Sequence, residues 1–224
     1  MLIENLGHLP YRDAWAIQEV AHEEILAGGE EKIFFVEHPP VITYGRRPGV
    51  DRHLLATAEQ LAEQSVEIVQ SDRGGDITFH GPGQLVAYPI IRLADHRFSV
   101  SGYVHALEGA VIAMLADLGI EARADPAAVG VWTTVHGGPA KICAIGVRIR
   151  RGVSLHGLAL NVTTALEYFK LIVPCGLAGR RVTSLQEILE ERTPTMEEVI
   201  LKLGERLMAI LGESEFRKRK GYEK

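Results

Sequence analysis

Cysteine is scarce in this chain of 224 residues, which holds Cys143 and Cys175 and no other thiol. Two cysteines cannot build a disulfide framework, and no histidine or cysteine spacing matches a structural zinc site, so no metal is expected. Long apolar runs are missing as well. No stretch of about 18 uncharged apolar residues is present, and the N-terminus carries Glu4 with no basic region ahead of an apolar core. Neither a membrane span nor a secretion signal is therefore expected, and free thiols fit a reducing, cytoplasmic setting. The Gly-x-x-x-x-Gly-Lys-Ser/Thr string that cradles nucleotide phosphates is absent, as is the Gly-x-Ser-x-Gly elbow of serine hydrolases, so ATP use and a serine nucleophile have no positive support. Nor is positive charge in excess. A formal net charge of −5 argues against a general nucleic-acid binder. Arg46-Arg47, Arg150-Arg151, Arg180-Arg181 and the run Arg217-Lys218-Arg219-Lys220 remain as local basic patches or solvated surface.

What is present is apolar content, 46% of the residues, ample for a full hydrophobic core. Ala14, Ile17, Ala21 and Ile25 recur at helical spacing and stop at Gly28-Gly29, which predicts an amphipathic helix over Tyr11–Leu26. Residues 32–37 and 41–44 read as two strands around the Pro39-Pro40 turn. Thr57-Ala58-Glu59-Gln60 has capping-box form and opens a short helix. A second long helix is expected over 99–118, with Tyr103, Leu107, Val111, Met114 and Leu118 on one face. Strands follow at 120–124 and 129–135. The runs 140–149 and 153–162, joined by Arg150-Arg151-Gly152, form the strongest hairpin signal, and alternation would put Lys141, Cys143, Ile145 and Val147 on one face. Ser184 to Glu187 suggests another cap, and a last helix starts at Thr195 and ends near Gly212. Helices and strands are mixed without strict alternation. The expectation is one α/β domain over 1–224, a mixed sheet flanked by helices, with 213–224 a basic tail of disordered composition.

One stretch stands out as a site wall. Arg73-Gly74-Gly75-Asp76-Ile77-Thr78-Phe79-His80-Gly81-Pro82-Gly83-Gln84 packs four glycines and several hydrogen-bonding side chains between two strand-like runs. For chemistry, a cysteine is the natural nucleophile. Cys143 stands mid-strand, where a thiol behaves as a small hydrophobe, whereas Cys175 falls in the turn Pro174-Cys175-Gly176 after an apolar run. A free thiol has a pKa of about 8.5 and needs a neighbouring cation to be reactive at neutral pH. Lys141, out of character in a strand of apolar and small residues, is one candidate for that cation and base; His80 and His156 are the others.

These residues together carry a resemblance. Arg73-Gly74-Gly75-x-x-Thr78-x-His80-x-Pro82-Gly83-Gln84-x-x-x-Tyr88-Pro89, Lys141-Ile142-x-x-x-Gly146, His156-Gly157-x-Ala159-x-Asn161-Val162 and Pro174-Cys175-Gly176 stand in the order found in lipoyl(octanoyl) transferases of lipoate biosynthesis. The chain resembles that family from its N-terminal helix to past Cys175. The resemblance implies the fold of the catalytic domains of biotin and lipoate protein ligases and no cofactor. It implies an octanoyl group passing from acyl carrier protein to Cys175 as a thioester, then to a lysine ε-amine on lipoyl domains of 2-oxoacid dehydrogenases and on the glycine cleavage H protein. Under it, Lys141 lowers the pKa of Cys175 and serves as acid and base. Arg73, Gly74, Gly75, Asp76, Ile77, Thr78, Phe79 and His80, with Ala144, Ile145, Gly146, Gly157, Leu158 and Ala159, line the acyl site. The arginine pairs acquire a use in docking partners that are typically acidic. Two rivals are an ATP-dependent lipoate or biotin ligase of the same fold, which needs no cysteine, and a silent binder of acyl carriers or lipoyl domains. A cysteine hydrolase is a third.

Overall fold

The computed structural model describes residues 1–173 and 181–219, and for 213–219 the backbone alone. Pro174, Cys175 and Gly176 lie outside the described residues. Two sheets organise what is described. The larger has eight strands: β1 (Leu2–His8), β2 (Lys32–Glu37), β6 (Gln84–Ile90), β10 (Val153–Asn161), β9 (Gly138–Arg150), β8 (Val131–Val135) and β7 (Ala122–Ala124) lie side by side in that order, and β11 (Arg181–Val182) adds to β9. Pairing is parallel for β1–β2 and β11–β9 and antiparallel elsewhere, so the sheet is mixed. The smaller sheet holds β4 (Glu67–Gln70), β3 (Val41–Tyr44) and β5 (Thr78–His80) in that order. Among the described residues no helix is long and apolar enough to cross a membrane.

Burial explains the layering. Every residue of β6 and β10 is buried, because helices cover both faces of the sheet centre. On one face α3 (Val100–Asp117) and α5 (Met196–Arg219) bring Leu107, Val111, Leu203 and Leu207 against Leu85, Ile142, Leu158 and Leu160. On the other α1 (Tyr11–Leu26) seats Ala14, Ala21 and Ile25 on Phe34, Val86 and Leu155. Full burial of such aliphatic side chains contributes about 1.5–3 kcal/mol each. The short helix α2 (Ala58–Glu63) opens with the expected capping box between Thr57 and Gln60 and joins the small sheet in a third cluster with Ile42, Phe79 and Phe169.

Two expectations need correction, and two features of the sheets were not foreseen. β2 and β3 do not pair across Pro39-Pro40; β2 lies between β1 and β6, and β3 belongs to the other sheet. Prolines that cannot donate a ladder bond let the chain leave one sheet for the next. The exposed edge strand β1 has no alternating pattern to announce it. The last helix does not end near Gly212 but runs to Arg219. Finally, Val131 pairs Cys143 while Trp132 pairs Lys141, so β9 carries an extra residue there. This bulge breaks the alternation: Ile142 and Cys143 both join the α3-side core, and Lys141 turns to a cavity. The β9–β10 hairpin matches expectation. Arg150 pairs Val153 across a loop of Arg151 (φ 51°) and Gly152 (φ 82°), the two-positive-φ turn that suits right-twisted strands.

Candidate active site

A cavity of about 430 Å³ opens where β9 and β10 face the segment running from Arg73 into β5. Of the residues expected at the acyl site, Arg73 to Thr78, His80, Ala144, Ile145, Gly146, Gly157, Leu158 and Ala159 all line it, and so does Lys141. Phe79 does not. Strand alternation in β5 sends its ring away from Thr78 and His80, to stack on Tyr168 with centroids 4.7 Å apart. Cys175 lies outside the described residues. Its flanks are placed. The Val173 N–H donates to the His53 carbonyl at 2.7 Å, and His53 Nδ1 meets Asp76 Oδ1 at 2.7 Å in the cavity wall. On the other flank Val182 pairs Lys141 itself, and the Thr183 N–H donates to the Lys141 carbonyl at 2.9 Å.

The glycines serve backbone approach between the walls. A Cβ on Gly146 would lie 2.9 Å from the Gly74 carbonyl, and one on Gly74 would lie 2.8 Å from the Val147 carbonyl, which accepts the Gly74 N–H at 2.9 Å. The buried Arg73 guanidinium braces the same segment, donating to Thr43 Oγ1, the Thr43 carbonyl and the Gly74 carbonyl. Asp76 sits under the mouth. Burial works against its charge, yet the bonds from His53, the Ile77 N–H and Arg47 hold its carboxyl below the usual range.

Lys141 is 6% exposed; its Nζ donates to the Val129 carbonyl at 2.9 Å and stands 4.9 Å from the centre of the Trp132 ring. Those contacts hold the side-chain nitrogen away from bulk water. Cys143 is fully buried in the core, and burial pushes its thiol up to about 12. It is a packing residue.

Three buried histidines cluster here, and two of them, His80 and His156, line the cavity. The Tyr11 ring stacks between His80 (5.8 Å) and His156 (6.5 Å), and its hydroxyl meets Ser71 Oγ at 2.9 Å. His38 Nδ1 donates to the Leu9 carbonyl, leaving Nε2 to accept from the Tyr88 hydroxyl at 2.8 Å; burial pushes this imidazole down to about 4. His80 has its tautomer set by a chain of bonds. Asn161 Nδ2 donates to the Thr183 carbonyl, Gln84 Nε2 donates to Asn161 Oδ1 and the Phe79 carbonyl, and so Gln84 Oε1 must receive the His80 Nδ1 proton at 2.7 Å. Burial, with His38 and Arg73 nearby, keeps His80 neutral, its Nε2 lone pair unprotonated. His156, at φ 58°, donates from Nε2 to Asp72 Oδ1 at 2.6 Å, while Arg148 holds Asp72 Oδ2 at 2.9 Å. Burial outweighs that carboxylate, so His156 is also shifted towards the neutral form.

Tyr11, Arg47, Val104 and residues 126–129 also face the cavity, and none of them stands among the residues expected at the acyl site. Tyr11 was visible only as a helix start, and no periodicity marks 126–129. Of the basic pairs, Arg46 and Arg47 are exposed, with Arg47 at the cavity, whereas Arg150 is engaged by Glu19 and Glu23. Among the described residues no group of histidine, cysteine, aspartate and glutamate is arranged to hold a metal.

Comparison with known proteins agrees with this geometry. Residues 10–208 match the family described as the lipoyl protein ligase A/B catalytic domain. An octanoyltransferase from Chloroflexus aggregans is 46% identical over 212 residues, 94% of each chain. In structure, the bipartite lipoate protein ligase of Thermoplasma acidophilum overlays with a TM-score of 0.71 at 18% identity, over 94% of this chain and 83% of that one. Biotin protein ligase from Aquifex aeolicus overlays at 0.53 and 14% identity, over 99% and 74%.

Proposed function

Since the chain belongs to the lipoyl protein ligase A/B catalytic family, and within it to the octanoyltransferases, we propose that it transfers octanoyl from acyl carrier protein to a lysine of lipoyl domains through a thioester on Cys175. One observation carries the Cys175 assignment: both flanks of the segment holding it are tied to the cavity wall, Val173 through His53 to Asp76 and Val182 to Lys141. Cys143, the other thiol, is buried in the core.

In this reading the reaction has two acyl transfers. Lys141 favours the Cys175 thiolate, which attacks the carrier thioester; a new carbon–sulfur bond forms and the carrier's carbon–sulfur bond breaks, its thiolate taking a proton from Lys141. The acceptor lysine's neutral amine then attacks. A carbon–nitrogen bond forms, the Cys175 thiolate leaves, and Lys141 takes the amine's proton, restoring the starting state. The first step exchanges thioester for thioester and the second makes an amide, so no ATP is required.

Intact-mass measurement after incubation with octanoyl-carrier tests this. An octanoyl adduct removable by hydroxylamine is expected on the wild type and on Cys143→Ala, and on neither Cys175→Ala nor wild type given free octanoate and ATP. An adduct that persists in Cys175→Ala sinks the assignment. Product formed from free octanoate and ATP would favour a ligase.

A further inference from the structure

Glu108 is a buried carboxylate in the middle of α3, 3% exposed, between Leu107 and the core residues Ala110 and Val111. A buried charge needs a partner to offset lost hydration. Oε1 accepts the Gly130 N–H at 3.0 Å, and Oε2 meets Nδ1 of the exposed His105 at 2.9 Å. The first of these bonds reaches the cavity. The N–H of Gly130 and the carbonyl of Val129 belong to one peptide group, and that carbonyl is the acceptor of Lys141 Nζ at 2.9 Å. Because the peptide is planar and trans, its N–H and C=O point in opposite directions and turn together. A carboxylate on one end and an ammonium on the other polarise it in the same sense, strengthening both bonds.

The peptide does not hold this orientation by default. Gly130 adopts φ 123°, and a Cβ there would lie 2.5 Å from the Cys143 carbonyl and 3.4 Å from Lys141 Cε. The residue is therefore pressed against the β9 bulge that turns Lys141 to the cavity. Something must fix the peptide's rotation, and the Glu108 carboxylate is the group bonded to it.

We propose that Glu108 is a positioning residue for Lys141: it clamps the Val129–Gly130 peptide so that the Val129 carbonyl holds the lysine ammonium at the cavity wall. This rests on the acid–base reading of Lys141 given above. Glu108 touches no reacting atom and acts through one peptide group. Releasing the clamp lets the carbonyl turn away, and the ammonium loses that acceptor. A displacement of about 1 Å in such a group costs up to about a hundredfold in rate.

The test compares Glu108→Ala, Glu108→Gln, Lys141→Met and the double variant Glu108→Ala/Lys141→Met, using purified octanoyl-carrier and a lipoyl domain and recording kcat, KM and thermal midpoint. Glu108→Ala is expected to lower kcat about ten- to a hundredfold with KM for either substrate changed less than about twofold. Glu108→Gln keeps an oxygen for the Gly130 N–H and should recover part of the loss, and it carries the test if the alanine variant does not fold. In the Lys141→Met background Glu108→Ala should add nothing. Additive losses, wild-type kcat in both Glu108 variants, or a loss confined to KM or thermal midpoint would overturn the proposal while leaving Lys141 in place. A wild-type rate in Lys141→Met would instead remove the acid–base reading, and the clamp with it.

Discussion

Under the proposed reaction Lys141 favours the Cys175 thiolate, while Cys143 is a packing residue of the core. An ammonium about 4 Å from a thiolate, at an effective dielectric of about 20, is worth roughly 4 kcal/mol before desolvation is charged against it. Burial of Lys141 returns part of that, so under the proposed pairing the Cys175 thiol is expected below its ordinary value. Lys141→Met should move the pH midpoint of Cys175 alkylation up towards about 8.5 and slow acylation at neutral pH. Lys141→Arg should not restore turnover, since guanidinium keeps the charge but does not give up its proton. The alkylation readout is clean because Cys143, buried and pushed up to about 12, does not compete for reagent. An unmoved midpoint together with an unchanged transfer rate would shift the search for the base to His80 or His156.

Elements with a strong period were readable from the residues alone. Tyr11–Leu26 is the helix its spacing predicts, Ser99 caps α3, Ser184 caps the helix after β11, and the β9–β10 turn stands where Arg151-Gly152 put it. What escaped depends on tertiary partners. Nothing local to residues 32–44 says that two short apolar runs belong to different sheets. The bulge at Ile142 follows from how Lys141 and Cys143 pair with β8, which no single strand records. The stretch Arg73 to Gln84 was readable as a wall from its glycines, whereas residues 144–146 and 157–159 came from the family resemblance alone; Gly74 and Gly146 pack backbone to backbone. Gly146→Ala tests that packing. Its methyl would meet the Gly74 carbonyl, so the expected result is a loss of about 1–3 kcal/mol in denaturant unfolding and slower acylation. Unchanged stability with full activity would mean the walls yield freely.

Taken as one body, the molecule buries His38, His80 and His156 around a single tyrosine, and all three are shifted towards the neutral form. In the unfolded chain these imidazoles take up protons near pH 6.5. Folded His38 resists until about 4. Its stabilisation is therefore complete above about 6.5 and fades as pH falls to about 4, because the unfolded state binds the extra proton; the loss amounts to about 3 kcal/mol. The thermal midpoint should drop steadily from pH 7 to pH 4.5, and His38→Gln should flatten that slope. A midpoint that stays level across this range would contradict the burial of neutral imidazoles.

The strand order carries a consequence for synthesis. β10, at the centre of the large sheet between β6 and β9, is encoded well after β6. A chain emerging from the ribosome completes β6 and then waits roughly 60–70 residues for its neighbour, on the order of 3–14 s at ordinary elongation rates. Throughout that interval the apolar edge of β6 is open to any other strand. Slow codons or pauses between residues 91 and 152 would lengthen the exposure, so translation speed over that span bears on the yield of folded enzyme more than speed elsewhere.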